Sequence, residues 1–569
     1  MLCGLAADAW FFRWSVISRF DEIPGNIGDT RLHIYICEHW YKVFTASVPW
    51  LSPSMFFPVR GSLGYSDALF LYGVPFSAAR LLGIDIFSSF ELIILSLPLV
   101  GYIGALWLFR GALQLGRLPA VIGSLLFAFS SALAASSAHG QLYAVALVPY
   151  VVVSLVAYLR RISTGKALIP GISLAMLYPL LAYTSFYIAW FLLLFLAIIT
   201  AIAIVSQVAC NGWGPIRHWL RCVLRHWHSV ATPAVIAGLS SIPFVMTYLP
   251  VLRLFPRRPF SEVIPLLPTP IDLFNVGFDN ILWGWALRRL VPGLQARPAF
   301  WELNKGLSPV VLLGFILALL FIVWTRNAQD DDQEPGHAYR MRSLVFLCAG
   351  GVCLMWFLLL RWDDHSLWWV VYRLWPGGGA IRAAYRFNIL LMLPVAFVIA
   401  YCLDRTICHF RRIRCRRGIA FIVLISLFMV AEQASGFHRD ILSKQSQRAM
   451  LSGVAKPPAF CRSMAMLMKT DPYSGWWAPP QIDAMLISQR FGIPTVNGYS
   501  GWTPEGWDLH LPAAPGYTQR VITWAKEHQI ANGLCFYVPE TNTWSLFRDA
   551  KTDAQSAELP LSSSGEVNP

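Results

Sequence analysis

The sequence predicts a mainly α fold: a polytopic transmembrane helical bundle of about ten or eleven spans, with a small α/β extracytoplasmic lobe at its C-terminal end. Three observations predict it. Of 569 residues, 56% are hydrophobic and only 13% charged, against roughly 25% charged in an ordinary soluble domain. Apolar runs of span length recur between residues 90 and 434. Basic residues, finally, fall in alternate loops between those runs.

The runs cover residues 90–109, 118–135, 142–159, 167–182, 187–205, 230–251, 307–324, 343–360, 388–403 and 419–434. Crossing the hydrocarbon core takes about 20 apolar residues as helix. In lipid the backbone must satisfy its own hydrogen bonds, so continuous runs read as helices; a β-barrel would show short alternating segments instead. Residues 2–17 are apolar but carry Asp8 and Arg13 and lack a basic start. They read as a short or degraded first span, or one clipped at its start, and not as a cleavable signal peptide.

The net charge of +14 reflects orientation. Arg110 and Arg117, then Arg160, Arg161 and Lys166, then Arg217, Arg221 and Arg225, then Arg326 and Arg340, then Arg411, Arg412, Arg414, Arg416 and Arg417 occupy alternate loops. The short loops 136–141 and 183–186 hold no Lys or Arg. By the positive-inside rule the basic loops are cytoplasmic. Residues 19–89, 252–306, 361–387 and the tail from 435 then lie outside. No nucleic-acid role is assigned. Of eleven cysteines none forms a C-x-x-C pair, so no zinc or redox motif is present. Cys461 and Cys535 fall in the outer tail, where an oxidising compartment permits a bridge.

The organisation expected is a transmembrane body over residues 1–434, with a long first outer loop at 19–89, and an extracytoplasmic lobe over 435–569. Residues 32–44 have helical periodicity in the loop, as do 457–469 and 519–528 in the tail; 534–538 and 543–547 pattern as short strands. The Ser-rich end from Thr552 reads as frayed.

Chemistry-bearing candidates concentrate in the outer segments. Asp21, Glu22, Asp29 and Glu38, with His39 beside the last, supply carboxylates suited to a general base or to a hard divalent cation; an ordinary solvated acidic loop is the alternative. After Pro376 and three glycines come Arg382 and Arg386. A helix starting there would put both guanidiniums on one face and make a phosphate site; interfacial arginines meeting headgroups are the alternative. His139 and Gln141 lie on a short outer loop. Asn497, Gly498, Tyr499, Ser500, Gly501 and Trp502 suggest tight turns and an aromatic surface that suits sugar rings or a packed core. There is no phosphate-binding loop or dinucleotide glycine run. The few ionisable residues within the spans, Glu91 and Glu432 near their ends, argue against ion-coupled transport.

Together these motifs resemble a known family. Asn26, Ile27, Gly28, Asp29, Thr30 and Arg31, with Glu38 and His39 one helix-length later, resemble the first outer loop of bacterial membrane proteins of the glycosyltransferase C-fold type. Residues 57–67, His139-Gly140-Gln141 before Pro149, the element from Pro376 to Phe387, and the tail residues 483–485 and 494–501 are similar to one branch of that group. The resemblance implies transfer of a sugar from a polyprenyl-phosphate carrier to an envelope glycan, lipid or protein acceptor at the outer face of the bacterial inner membrane. It implies Asp29 as base, with Glu38 as alternate and Asp21 and Glu22 as a further acidic pair. Arg382 and Arg386 would hold the carrier phosphate, and His139, Gln141, Asn497 and Tyr499 would contact substrate. It makes Mg²⁺ or Mn²⁺ a candidate cofactor. The rival expectation is a non-enzymatic membrane protein, either a lipid-carrier transporter or a polysaccharide assembly partner.

Overall fold

A computed structural model describes the chain except residues 47, 295, 298, 325–334, 437–440 and 548–569; side chains are described for all others but 335–340. Arg326 and the tail from Thr552 therefore lie outside the described residues, as does the Arg340 side chain. The chain divides into two compact units: Met1–Val48 with Asp67–Lys444, and Pro49–Ser66 with Gln445–Pro569.

The first unit is a polytopic helical membrane body. Among the described residues seven helical runs are long and apolar enough to cross a membrane: Ile86–Ala112, Arg117–Ala134, Gly140–Thr164, Phe186–Asn211, His228–Leu254, Met341–Leu359 and Ala384–Arg412. The other three expected spans are also helices, but shorter. Leu168–Thr184 has 17 residues and Arg416–Ala431 has 16, while Pro309–Trp324 is described over 16 residues, up to the undescribed residues that start at 325. At 1.5 Å per residue, 16 residues reach about 24 Å, short of a hydrocarbon core of about 30 Å. The N-terminal run is not one span: it breaks into Leu2–Phe11 and Arg13–Ile17. Prolines sit inside several of these helices, Pro98, Pro179 and Pro394 among them, as neighbouring helices allow.

The two acidic residues at span ends are spent on architecture. Glu91 pairs with Lys444 at 2.6 Å. Glu432 accepts from the Ser308 hydroxyl at 2.7 Å, the Trp283 indole at 2.8 Å and the Val310 and Val311 amides. It thereby caps the start of Pro309–Trp324, satisfying amides that a helix leaves without partners.

In the segment ahead of the first long span, helix α1 (Asp29–Ala46) matches the periodicity of residues 32–44 and extends it by about a turn upstream. Strand β1 (Glu22–Pro24) pairs antiparallel with β2 (Ile441–Ser443), Ile23 opposite Leu442.

The second unit is a small α/β lobe, described by itself. Strand β3 (Ser463–Met466) runs parallel to β4 (Leu534–Val538), which pairs antiparallel with β5 (Thr543–Leu546). Helices Ala478–Phe491 and Tyr517–Glu527 complete it. Residues 457–469 are not the helix their periodicity suggests. Pro457 and Pro458 interrupt the backbone donors, and Ser463–Met466 is a fully buried strand, whose continuous apolar run cannot be told from a helix by period alone. Residues 54–57 belong to this lobe: the Phe56 and Phe57 amides donate to the Asn497 and Thr495 carbonyls, and the Thr495 amide donates to Ser54. Cys461 and Cys535 are bridged, with Cα atoms 5.5 Å apart. The glycines of the Asn-Gly and Ser-Gly pairs do not make left-handed turns. Gly498 instead makes room for the Phe56 ring, 2.3 Å from where its Cβ would stand, and Gly501 for the Tyr65 carbonyl.

Candidate active site

The site is built from four segments of the membrane body, and the motif from Asn26 to Arg31 builds its first wall. The Asn26 side chain accepts from the Gly28 amide at 3.0 Å, and Thr30 Oγ1 accepts from the Asn26 amide at 2.9 Å. Gly25 has φ +132° and passes so close to Thr30 that a Cβ would overlap it. Arg31, buried, donates from Nε to the Ile27 carbonyl at 2.6 Å. These contacts fix the turn that starts α1. Asp29 thereby stands in its first turn, where the helix dipole favours an ionised carboxylate.

His139 comes from the turn before the 3₁₀ helix Gly140–Leu147. Its amide donates to the Ser136 carbonyl at 2.9 Å. Gly140 is enclosed by His33, Ile94 and Phe90, each within 3.4 Å of a would-be Cβ, so the backbone beside the imidazole is tightly held. Nδ1 of His139 lies 3.0 Å from Asp29 Oδ2 and Nε2 lies 3.2 Å from Glu302 Oε1.

Glu302 and Lys305 come from the loop before Pro309–Trp324. The Gly306 and Leu307 amides donate to the Asn275 and Leu273 carbonyls at 2.8 and 2.9 Å. A Cβ on Gly306 would stand 2.5 Å from the Asp272 carbonyl oxygen and 2.6 Å from the Asn275 nitrogen. Both obstacles are backbone, so neither can rotate away. Gly306→Ala is expected to lower stability by about 1–3 kcal/mol and to displace Glu302, read as a lower unfolding midpoint in detergent. An unchanged midpoint would show that the loop yields.

Arg386 closes the cluster. Its Nε donates to Glu302 Oε2 at 3.0 Å and its Nη2 to Oε1. Nη2 also lies 2.9 Å from His139 Nε2, and the guanidinium covers the Tyr187 ring at 5.5 Å. Fully buried Lys305 reaches Glu302 at 3.4 Å. The expected helix carrying Arg382 and Arg386 on one face does not form. Short 3₁₀ turns, Gly378–Ala380 and Ala384–Arg386, flank an extended Ile381, and the long helix begins only at Phe387. Arg382 is exposed while Arg386 is buried, so the two do not share a face. The glycines serve close packing: a Cβ on Gly378 would stand 2.5 Å from the Val371 carbonyl.

The electrostatics follow from these distances. Burial alone would raise the Glu302 pKa, but Arg386, Lys305 and His139 hold it well below the usual carboxylate value. Burial and Arg386 push His139 down, yet hydrogen bonds to Asp29 and Glu302 outweigh them and leave it above its ordinary value. His33, buried beside them, is pushed down to about 4 by desolvation despite Asp29, and is neutral at pH 7. Asp29 and Glu302 thus balance Arg386 and Lys305 before His139 is counted. A protonated His139 donates to both carboxylates. A neutral one keeps its Nδ1 proton on Asp29 while Nε2 accepts from Arg386. Asp29 stays oriented in either state.

Of the other expected site residues, Glu38, Asp21 and Glu22 have partners outside this cluster. Glu38 pairs with Arg80 at 2.9 Å. Asp21 accepts from Ser443 at 2.9 Å and Glu22 lies in the β1–β2 ladder. Gln141 is buried beside His139 in sequence. In the lobe, Asn497 is wholly buried. Its Oδ1 accepts from the Met466 amide at 2.8 Å, and its Nδ2 donates to Gln481 and to the Tyr517 hydroxyl. Tyr499 packs edge-on against Trp477. Asn497 is thus part of the lobe's own core, and Tyr499 is half-buried. The sequence reading missed Glu302 and Lys305. The available signal was an acidic and a basic residue close together in a loop just ahead of an apolar run.

The donor set does not fit a tightly held Mg²⁺ or Mn²⁺. Both carboxylates are bridged by one imidazole, and Glu302 is already neutralised by Arg386 and Lys305. Hard-cation sites need several oxygen ligands free of competing cations. Among the described residues no group of three or more His, Cys, Asp or Glu is arranged to hold a metal.

No family model and no curated protein matches the chain. Among solved structures it is similar to arabinofuranosyltransferase AftD from Mycobacteria (16% identity, TM-score 0.42), over 92% of this chain and 34% of that one. It is also similar to ArnT from Cupriavidus metallidurans at 12% identity. The apo form covers 93% of this chain and 92% of that one at TM-score 0.37. The form bound to undecaprenyl phosphate covers 98% and 94% at TM-score 0.38. The chain spans about a third of AftD's length.

Proposed function

We propose that this chain is an integral membrane glycosyltransferase that moves a sugar from a polyprenyl-phosphate carrier to a cell-envelope acceptor on the extracytoplasmic face of the inner membrane. The observation that carries the reading is Asp29, in the first turn of α1 and hydrogen-bonded to an imidazole that is itself held by Glu302 and Arg386. The outer-loop motif that resembles C-fold glycosyltransferases is the same motif that fixes this carboxylate. In the reaction an acceptor hydroxyl attacks the anomeric carbon and its proton passes to Asp29. The bond from that carbon to the carrier phosphate oxygen breaks, and the carrier phosphate leaves with both electrons. Arg382, exposed, is the guanidinium suited to hold that phosphate. Arg386 is spent on Glu302 and serves to position His139. The alternation of basic loops supports the outer location of the site. The Cys461–Cys535 bridge supports an oxidising surround for the lobe.

The test is release of free carrier by the purified protein in nanodiscs, from extracted polyprenyl-phosphate sugars and a panel of envelope acceptors. Wild type should release carrier. Arg382→Ala should raise KM for the carrier about 10-fold or more, the loss of one charge-assisted phosphate contact. Carrier binding without release by wild type, across the donor and acceptor panel, would replace this reading with a carrier-transport or assembly role.

A further inference from the structure

A second functional surface lies in the loop between the spans Phe186–Asn211 and His228–Leu254. Helix α2 (Gly214–Arg225) occupies that loop and buries none of its residues. At 100° per residue its side chains separate cleanly. Ile216, Trp219, Leu220, Val223 and Leu224 share one side, and Arg217, His218, Arg221 and Arg225 the other. Among the described residues the apolar side is largely uncovered: Trp219, Leu220 and Leu224 are 44%, 46% and 71% exposed, Trp213 and Trp227 at the two ends are 56% and 66% exposed, and Ile216 and Val223 are half-buried. The helix packs against the 3₁₀ turn Ile162–Thr164, which carries Arg161 and Lys166 beside it, both exposed.

Two facts identify the occupant. The helix is tethered at both ends to spans that finish there, so it sits where the hydrocarbon gives way to headgroups. An amphipathic helix at that depth buries its apolar side in the acyl boundary, with tryptophans at the headgroup level. Charge complementarity decides the headgroup. Residues 92–261 contain no Asp or Glu at all, and among the described residues Arg217, Arg221 and Arg225 make no ion pair. The arginines at i, i+4 and i+8 have no carboxylate near them in sequence and no ion-pair partner among the described residues, so this face is open to a headgroup anion; Asp330, Asp331, Asp332 and Glu334, in another basic-side loop, lie outside the described residues.

The structure assigns α2 and the adjoining turn as a binding surface for anionic phospholipid of the leaflet on the basic-loop side. Juxtamembrane basic residues contribute about 1 kcal/mol each to such attraction, or about five-fold in affinity. The experiment is native mass spectrometry of the full-length protein in detergent, titrated separately with phosphatidylglycerol and phosphatidylcholine. Wild type should bind phosphatidylglycerol more tightly. Arg221→Gln should weaken its tightest phosphatidylglycerol binding about five-fold. The triple variant Arg217→Gln, Arg221→Gln, Arg225→Gln should weaken it on the order of 100-fold, with phosphatidylcholine unmoved. Equal affinity of wild type for the two lipids would overturn the assignment. So would unchanged phosphatidylglycerol binding in both variants, which leaves the arginines to some other acidic partner, or an equal loss for both lipids, which makes the effect one of packing. The outcome does not depend on whether the outer-face site transfers sugar.

Discussion

Asp29→Asn is expected to lower sugar transfer by roughly 10²–10⁴-fold while leaving the protein folded, because that is the range a general base typically contributes. The folded state should survive the change. Asn is well accepted at helix starts, and its amide oxygen can still accept from His139 Nδ1 at the observed 3.0 Å spacing. The variant therefore removes the proton acceptor and little else. Single-turnover carrier release and the unfolding midpoint, measured together, separate the two effects. The pH dependence adds an independent sign. His139 titrates above its ordinary value of 6.5, and its positive charge lowers the basicity of Asp29. Wild-type transfer should therefore rise as the pH passes upward through the His139 pKa. In Asp29→Asn that limb should vanish. Normal transfer by the variant would remove Asp29 from the base role, and a collapsed midpoint would make it a structural residue.

Much of this architecture was legible in the sequence, and the failures have physical causes. Every apolar run became a helix, because in lipid no other continuous structure satisfies the backbone. The short helices were short in the sequence as well: the runs 167–182 and 419–434 are about as long as the helices Leu168–Thr184 and Arg416–Ala431 that they became. In the lobe, the strands at 534–538 and 543–546 and the helix Tyr517–Glu527 followed their patterns. Ser463–Met466, buried on both faces, has no alternation to read. At the candidate site, Asp29, His139 and Arg386 could be singled out from their motifs, but that they meet could not be read there, and Arg386, expected on a phosphate, lies on Glu302. Glu302 and Lys305 could not be singled out. Their loop is distant in sequence, and its shape is set by backbone contacts to Asp272 and Asn275 that no local pattern encodes. Arg382 and Arg386 were separated for a related reason: Gly378 exists to admit the Val371 carbonyl, so the chain turns there and does not start a helix.

Glu302→Gln is expected to destabilise the membrane body by about 3–5 kcal/mol, the usual cost of removing one partner from a buried ion pair. Arg386 and Lys305 would then lie buried without their carboxylate partner, and Asp29 is committed to His139. The pH dependence carries opposite signs for the two titrating partners. Glu302 has a folded pKa well below 4.5. Its contribution is complete above about pH 4.5 and is lost as the pH falls through the folded value. His139 has a folded pKa above 6.5, so its contribution is complete below about pH 6.5 and is lost as the pH rises through that value. Wild type should therefore be most stable between these limits, and Glu302→Gln should flatten the acid side. Arg386→Met in the Glu302→Gln background removes the stranded cation, and should recover part of the loss although it deletes a second polar group. That non-additivity marks a coupled buried pair. A loss under about 1 kcal/mol, additive with Arg386→Met, would mean that the pair is solvated. His139 would then be held by Asp29 alone, and Arg386 would be free to bind the carrier phosphate.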